Sequence, residues 1–187
     1  MTRDTKQFLV TIIVTVSIML GVYLVYNYVQ LYKGNTMGEN VAKVYGSPCT
    51  IITMKDERGM RFVLFRDNKN NDLGMMVFEK SKVFSNRYKV GGGTYGRVNG
   101  EPFNMNYSMY IVGYSDEYSL FVVLGDNSKI RASKLQVSHE DRIITTDISK
   151  KKEFMEIYWG EYDKSPGNEK FLDDNGKIIE DRIFSNN

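Results

Sequence analysis

Cysteine and histidine are nearly missing from this chain. Its 187 residues include one of each, Cys49 and His139. A single cysteine excludes an intramolecular disulfide. One Cys and one His also fall short of the three or four nitrogen and sulfur ligands of a zinc site. Excess charge is missing too. The formal net charge is +2, which gives no electrostatic case for nucleic acid, where clustered Lys and Arg must displace counterions. The longest basic run, Lys150 to Lys152, reads as a solvated patch, with contact to an anionic surface as the alternative. Internal repeats and low-complexity tracts are absent as well. What is present is 42% hydrophobic and 26% charged residues, a balance that supports a packed core. The length suits one domain with an appendage.

The appendage is N-terminal. The stretch FLVTIIVTVSIMLGVYLVYNYV, Phe8 to Val29, has no charged residue. As a helix it would reach about 33 Å, enough for a hydrocarbon core of about 30 Å. Tyr23, Tyr26, Tyr28 and Tyr32 gather at its C-terminal end, as an interfacial aromatic belt would. A cleaved signal peptide would be shorter and would end in a small-x-small site. NYVQLYKGN follows here instead, so an uncleaved anchor is expected. Arg3, Lys6 and the terminal amine precede the span with Asp4 among them, and Lys33 and Lys43 follow with Glu39 between. That slight bias places the N-terminus inside. Ser17 and Gly21 make a small-xxx-small pair that could seat another helix. A pilin-like N-terminus is excluded by Gln7 and Ile12, where that motif needs Gly and Glu.

GNTMGENVAKVYGSP, after the span, is punctuated as a short helix. Thr36 and Glu39 make a capping box. Met37, Val41, Val44 and Tyr45 recur on one face. Gly46 can close the helix in a left-handed conformation, and Pro48 forbids its continuation. From Cys49 the signals are strands and turns. CTIITM and RFVLFR flank a hairpin loop with Gly59, and DNKNNDLG leads to MMVFEK. NMNYSMYIVGY alternates, with Met105, Tyr107, Met109 and Ile111 on one face. SLFVVL, GDNS and KIRASKLQV follow. KKKEFMEIYWGEY reads as strand, because Met155, Ile157 and Trp159 alternate. Asn175-Gly176 suits a tight hairpin.

Several motifs invite a chemical reading. VGGGTYGRV places Gly91, Gly93, Gly96 and Val98 on the pattern G-x-G-x-x-G-x-V of kinase phosphate loops. The following NGEPFNMNYSM lacks the lysine such an enzyme needs, and H-R-D and D-F-G are absent. A dinucleotide site needs a helix opening at Gly96, which Asn99-Gly100 and Pro102 oppose. The glycines are expected to serve turn conformations. FLDDNGKIIEDR puts Asp173, Asn175, Gly176 and Ile178 on calcium-loop positions. Phe171 and Arg182 stand where the first and last carboxylates belong. No metal or other cofactor is expected.

An anchored β-domain with one Cys, one His and a nearby Arg resembles the sortase transpeptidases. The resemblance implies a thiolate attacking a peptide carbonyl, with Cys49, His139 and Arg142 as the trio. In sortases the His precedes the Cys, which closes a T-L-x-T-C strand; here the order is reversed and the context is GSPCTII. The aromatic content, thirteen Tyr, ten Phe and one Trp, mainly serves core and strands.

The expected protein is mainly β, with α+β as the alternative. A cytoplasmic tail covers 1–7, a transmembrane helix 8–30 and a linker 31–35. An antiparallel β meander, as sheet or sandwich, covers 36–187 outside the membrane. Its organisation resembles that of many Gram-positive envelope proteins. The expected role is a non-catalytic binding or accessory module at the cell envelope. Its partners would be the bilayer and an envelope protein, peptide or glycan. A thiol-dependent transpeptidase or peptidase and an assembly subunit of a membrane complex are the alternatives.

Overall fold

The computed structural model describes residues 3–91, 96–98, 107–113, 118–139, 142–161 and 169–182. The chain is mostly β, with 47% in strands and antiparallel sheets that curl into a half-barrel. Before them comes helix α1 (Arg3–Val29). From Phe8 onward it carries no charge, and none of its 18 most apolar consecutive residues is buried by the rest of the protein. By length and composition it can cross a membrane.

The first sheet holds six strands. Its order is β1 (Tyr32–Lys33), β5 (Arg87–Val90), β4 (Leu73–Lys80), β3 (Met60–Asp67) and β2 (Cys49–Glu57), with β6 (Gly96–Val98) paired to the start of β4. The second has β8 (Tyr118–Asp126) between β7 (Tyr107–Gly113) and β11 (Glu153–Glu161). The third runs β10 (Arg142–Asp147), β9 (Lys134–His139), β12 (Glu169–Leu172), β13 (Ile178–Arg182). Residues 104–106 and the side chains of β7, where an alternating face was expected, lie outside the described ones.

The stretches FVLF, MMVF and LFVVL are continuous apolar runs because each is buried on both faces. Phe62 and Leu64 on β3, Met75 and Val77 on β4, and Leu120, Val122 and Leu124 on β8 form one cluster between the first two sheets. The opposite face of β3 and β4, with Val63, Phe65, Met76 and Phe78, packs on Met37 and Val41 of α2 (Met37–Tyr45). The opposite face of β8, with Phe121 and Val123, packs with Leu135, Val137, Phe154 and Phe171. Gly74 fits this packing, since a Cβ there would come within 2.6 Å of the Phe65 ring across the β3–β4 pair.

Polar clasps join the first two sheets. Arg66 on β3 donates to Glu153 at 2.9 Å and to Asp126 at 3.3 Å. Burial pushes the Asp126 carboxyl up, but hydrogen bonds from Ser128 and Arg66 outweigh it and leave it below the usual carboxylate range. Asp126 also caps the short helix α3 (Asn127–Ile130) by accepting from the Ser128 N–H. At the other end of β2, the Trp159 indole donates to Glu57 at 2.9 Å, beneath the Arg58 guanidinium.

Turn chemistry follows the sequence at Gly59 and Gly46 but not at Thr36. Arg58 and Gly59, at φ 46° and 79°, form a two-residue turn of the left-handed kind that suits twisted strands. Gly46 closes α2 at φ 82°, its N–H reaching Ala42 O at 2.9 Å. The capping box does not form. A 3₁₀ turn (Gly34–Thr36) leads directly into α2, so Thr36 lacks the extended backbone of an N-cap. Its hydroxyl approaches Lys33 O at 3.4 Å instead.

Tyr158 on β11 stacks on Phe121 at 4.8 Å and lies 3.3 Å from the Thr146 hydroxyl. Burial pushes its phenol up to about 12, against the opposing Thr146 contact and with help from Glu156. An ordinary tyrosine ionises near pH ~10. Above that pH the unfolded chain loses this proton while the folded chain keeps it, so stability falls as pH rises towards about 12. The expected loss is about 3 kcal/mol. Urea unfolding at stepped alkaline pH should show this slope, and Tyr158→Phe should flatten it.

Candidate functional site

Among the described residues, the junction of α1 with the first sheet brings a cavity together with several side-chain contacts. Just past the helix, Tyr32 and Lys33 pair with Tyr88 and Arg87, so part of the expected linker is strand β1. The Arg87 guanidinium lies 3.9 Å from the Tyr28 ring centroid, donates to the Tyr28 hydroxyl, and reaches Leu31 O at 3.4 Å. Phe84 meets the Tyr28 ring edge-on at 5.2 Å. Gly34 N donates to Asn86 O at 3.1 Å, and a Cβ on Gly34 would overlap the Asn86 side chain. Between the helix and the β4–β5 loop lies a cavity of about 660 Å³, lined by Tyr23, Leu24 and Asn27 on one side and Lys80, Lys82 and Val83 on the other.

A smaller cavity of about 390 Å³ lies at the foot of α3. Arg131, Lys150, Lys151 and Lys152 line it with Ser128, Ser133 and Ser149. Its charge is partly met from within: Lys151 is bridged to Glu156, and Lys152 lies 3.8 Å from Glu153. The basic run expected as a solvated patch is thus partly tied to β11.

The trio drawn from the sequence is spread over two sheets. Cys49 opens β2 in the first sheet. His139 and Arg142 are register partners at the end of the β9–β10 hairpin in the third. The Cys49 thiol donates to Ser47 O at 3.1 Å. Burial, and then the charge of Asp67, push its pKa up, the reverse of what a nucleophilic thiolate needs.

The other motifs resolve into backbone structure. Asp173 accepts from the N–H groups of Asn175 and Lys177 at 2.9 and 2.8 Å, holding the β12–β13 turn. Asp67, at the end of β3, accepts from Ser47, Lys69 N and Asn70. Among the described residues no three His, Cys, Asp or Glu side chains converge as metal ligands. In the glycine-rich stretch, Gly93 lies outside the described residues, and Gly96 opens strand β6 rather than a helix.

Gly91 departs from the expected turn role. It is buried, has no left-handed φ, and donates to Val77 O at 3.0 Å. A Cβ there would sit 3.3 Å from that oxygen, so close approach, not a turn, is what favours glycine. Gly91→Ala is expected to cost on the order of 1 kcal/mol through crowding. Calorimetric titration of the wild type with ATP and magnesium should show no saturable binding, and thermal melts should register the stability change.

Compared with family models, curated proteins and solved structures, the chain matches none of them.

Sequence reasoning missed the junction. Arg87 and its partner Tyr28 stand 59 residues apart, beyond the reach of any spacing rule. The Arg66 clasp was equally hidden, since its partners lie 60 and 87 residues on.

Proposed function

We propose that this chain is a single-pass membrane protein whose β-domain acts outside the cytoplasm as a non-catalytic binding or accessory module of a bacterial envelope. The observation that carries the reading is the junction. An N-terminal apolar helix serves as an anchor or as a removable signal. Here its last turn is clasped to the sheet by Arg87, Phe84 and strand β1, a construction that cleavage after the helix would undo. In this reading Arg3 and Lys6, ahead of the span, stay on the inner side. We read the first two sheets as a sandwich around Phe62 and Val122, a rigid support for a binding surface. The raised pKa of Cys49 and the distribution of Cys49, His139 and Arg142 over two sheets favour a module without thiol chemistry.

Genetic rescue tests this. In a strain lacking the chain, Cys49→Ser and His139→Ala variants should restore the envelope phenotype as fully as wild type. A chain without residues 3–29 should not. Loss of rescue by a folded, membrane-bound Cys49→Ser variant would overturn the non-catalytic reading.

A further inference from the structure

We propose that the cavity between the end of α1 and the β4–β5 loop is a seat for one anionic phospholipid. The inference rests on α1 being a membrane span. A helix of 27 residues is about 40 Å long, longer than a hydrocarbon core of about 30 Å. The end of α1 that meets the domain, Tyr23 to Tyr28, then falls at the headgroup level. Tyrosines favour that level. The β4–β5 loop sits beside these same turns, because Phe84 packs on Tyr28 and Arg87 clasps it. The loop therefore enters the interface with the helix.

The loop is shaped for that place. Ser81 N donates to Arg87 O at 2.7 Å and closes its base. The Ser81 hydroxyl oxygen accepts from Val83 N and Phe84 N, holding the tip in a turn. Val83 at that tip is 71% exposed, a costly position in water and a favourable one among acyl chains. Lys80, Lys82 and Lys89 also line the cavity, against a single carboxylate, Glu79, which Lys89 bridges at 2.6 Å. The seat thus has an apolar wall of Leu24 and Val83 for the upper acyl chain. It also has a net positive rim for a phosphate. A phosphatidylcholine head carries its own cation towards those lysines; a phosphatidylglycerol head does not.

The test uses the full chain in neutral detergent, offered equal amounts of phosphatidylglycerol and phosphatidylcholine with matched acyl chains. Retained lipid is counted by mass spectrometry. Wild type should keep phosphatidylglycerol in preference by about tenfold. Lys80→Gln/Lys82→Gln should lose the preference, and Val83→Ser should retain less of both lipids, each with an unchanged circular dichroism spectrum. Equal retention by wild type would overturn the seat, as would a preference that survives the double substitution. Displacement by glycerol phosphate as effectively as by lipid would also overturn it, since the occupant would then be a free phosphate. In parallel, the chain is sedimented with vesicles. Failure to co-sediment would break the membrane reading and the seat together. Co-sedimentation with equal lipid retention would break the seat alone.

Discussion

Phe121→Ala is expected to lower the unfolding free energy by about 3–5 kcal/mol, the range for deleting a fully buried aromatic ring. Phe121 is 0% exposed and sits mid-strand on β8, the central strand of its sheet. Its ring stacks on Tyr158 at 4.8 Å and shares a cluster with Phe154 and Phe171. The loss combines transfer of the ring with the void left between two sheets that have little freedom to collapse. A domain of this size is stable by only about 5–15 kcal/mol, so the variant should unfold at markedly lower urea. Ile143→Ala on β10, 67% exposed, should change stability by no more than about 0.5 kcal/mol. Equilibrium urea unfolding of both variants checks the contrast. A Phe121→Ala cost below about 1 kcal/mol would mean that the cluster is not a packed core.

Deleting residues 3–29 is expected to move the whole chain from the membrane pellet to the soluble fraction. The segment exposes Phe8 at 68%, Val22 at 65% and Val29 at 67%, a surface that water disfavours and hydrocarbon accepts. Each central Leu, Ile, Val or Phe favours insertion by about 0.3–0.6 kcal/mol. The deletion removes all of them at once. Strand β1 remains, so the shortened chain keeps the sheet edge that pairs with β5. Alkaline carbonate washing separates embedded from adhering protein. The membrane-bound form should have the full mass of 21.6 kDa. A mature protein lighter by the whole segment would make α1 a signal sequence.

The features legible in the sequence were local ones. The apolar N-terminal stretch, Gly46 after α2, the Gly59 turn and the strand at Met155 to Trp159 each follow from a neighbouring residue or a short period. Pairing between distant segments was not legible. Strand β10 carries Ile143 and Ile144 on an exposed edge, so burial imposes no clear alternation on RIITTD. Strand β5 draws its partners from β4 and from Tyr32–Lys33, where the register partner of Arg87 is Lys33, far upstream in the chain. The expected capping box failed because the residues before it were already helical, which no spacing rule detects. The junction combines these difficulties: Arg87, Tyr28 and Gly34 acquire meaning only once a sheet edge meets the end of a membrane-length helix.

Protease treatment of intact protoplasts tests the central claim most directly. The proposed orientation would put everything from Cys49 onward outside the membrane. Protease added to unbroken protoplasts should therefore digest the β-domain, while a cytoplasmic marker survives. A domain that stays intact until the membrane is lysed would contradict the account.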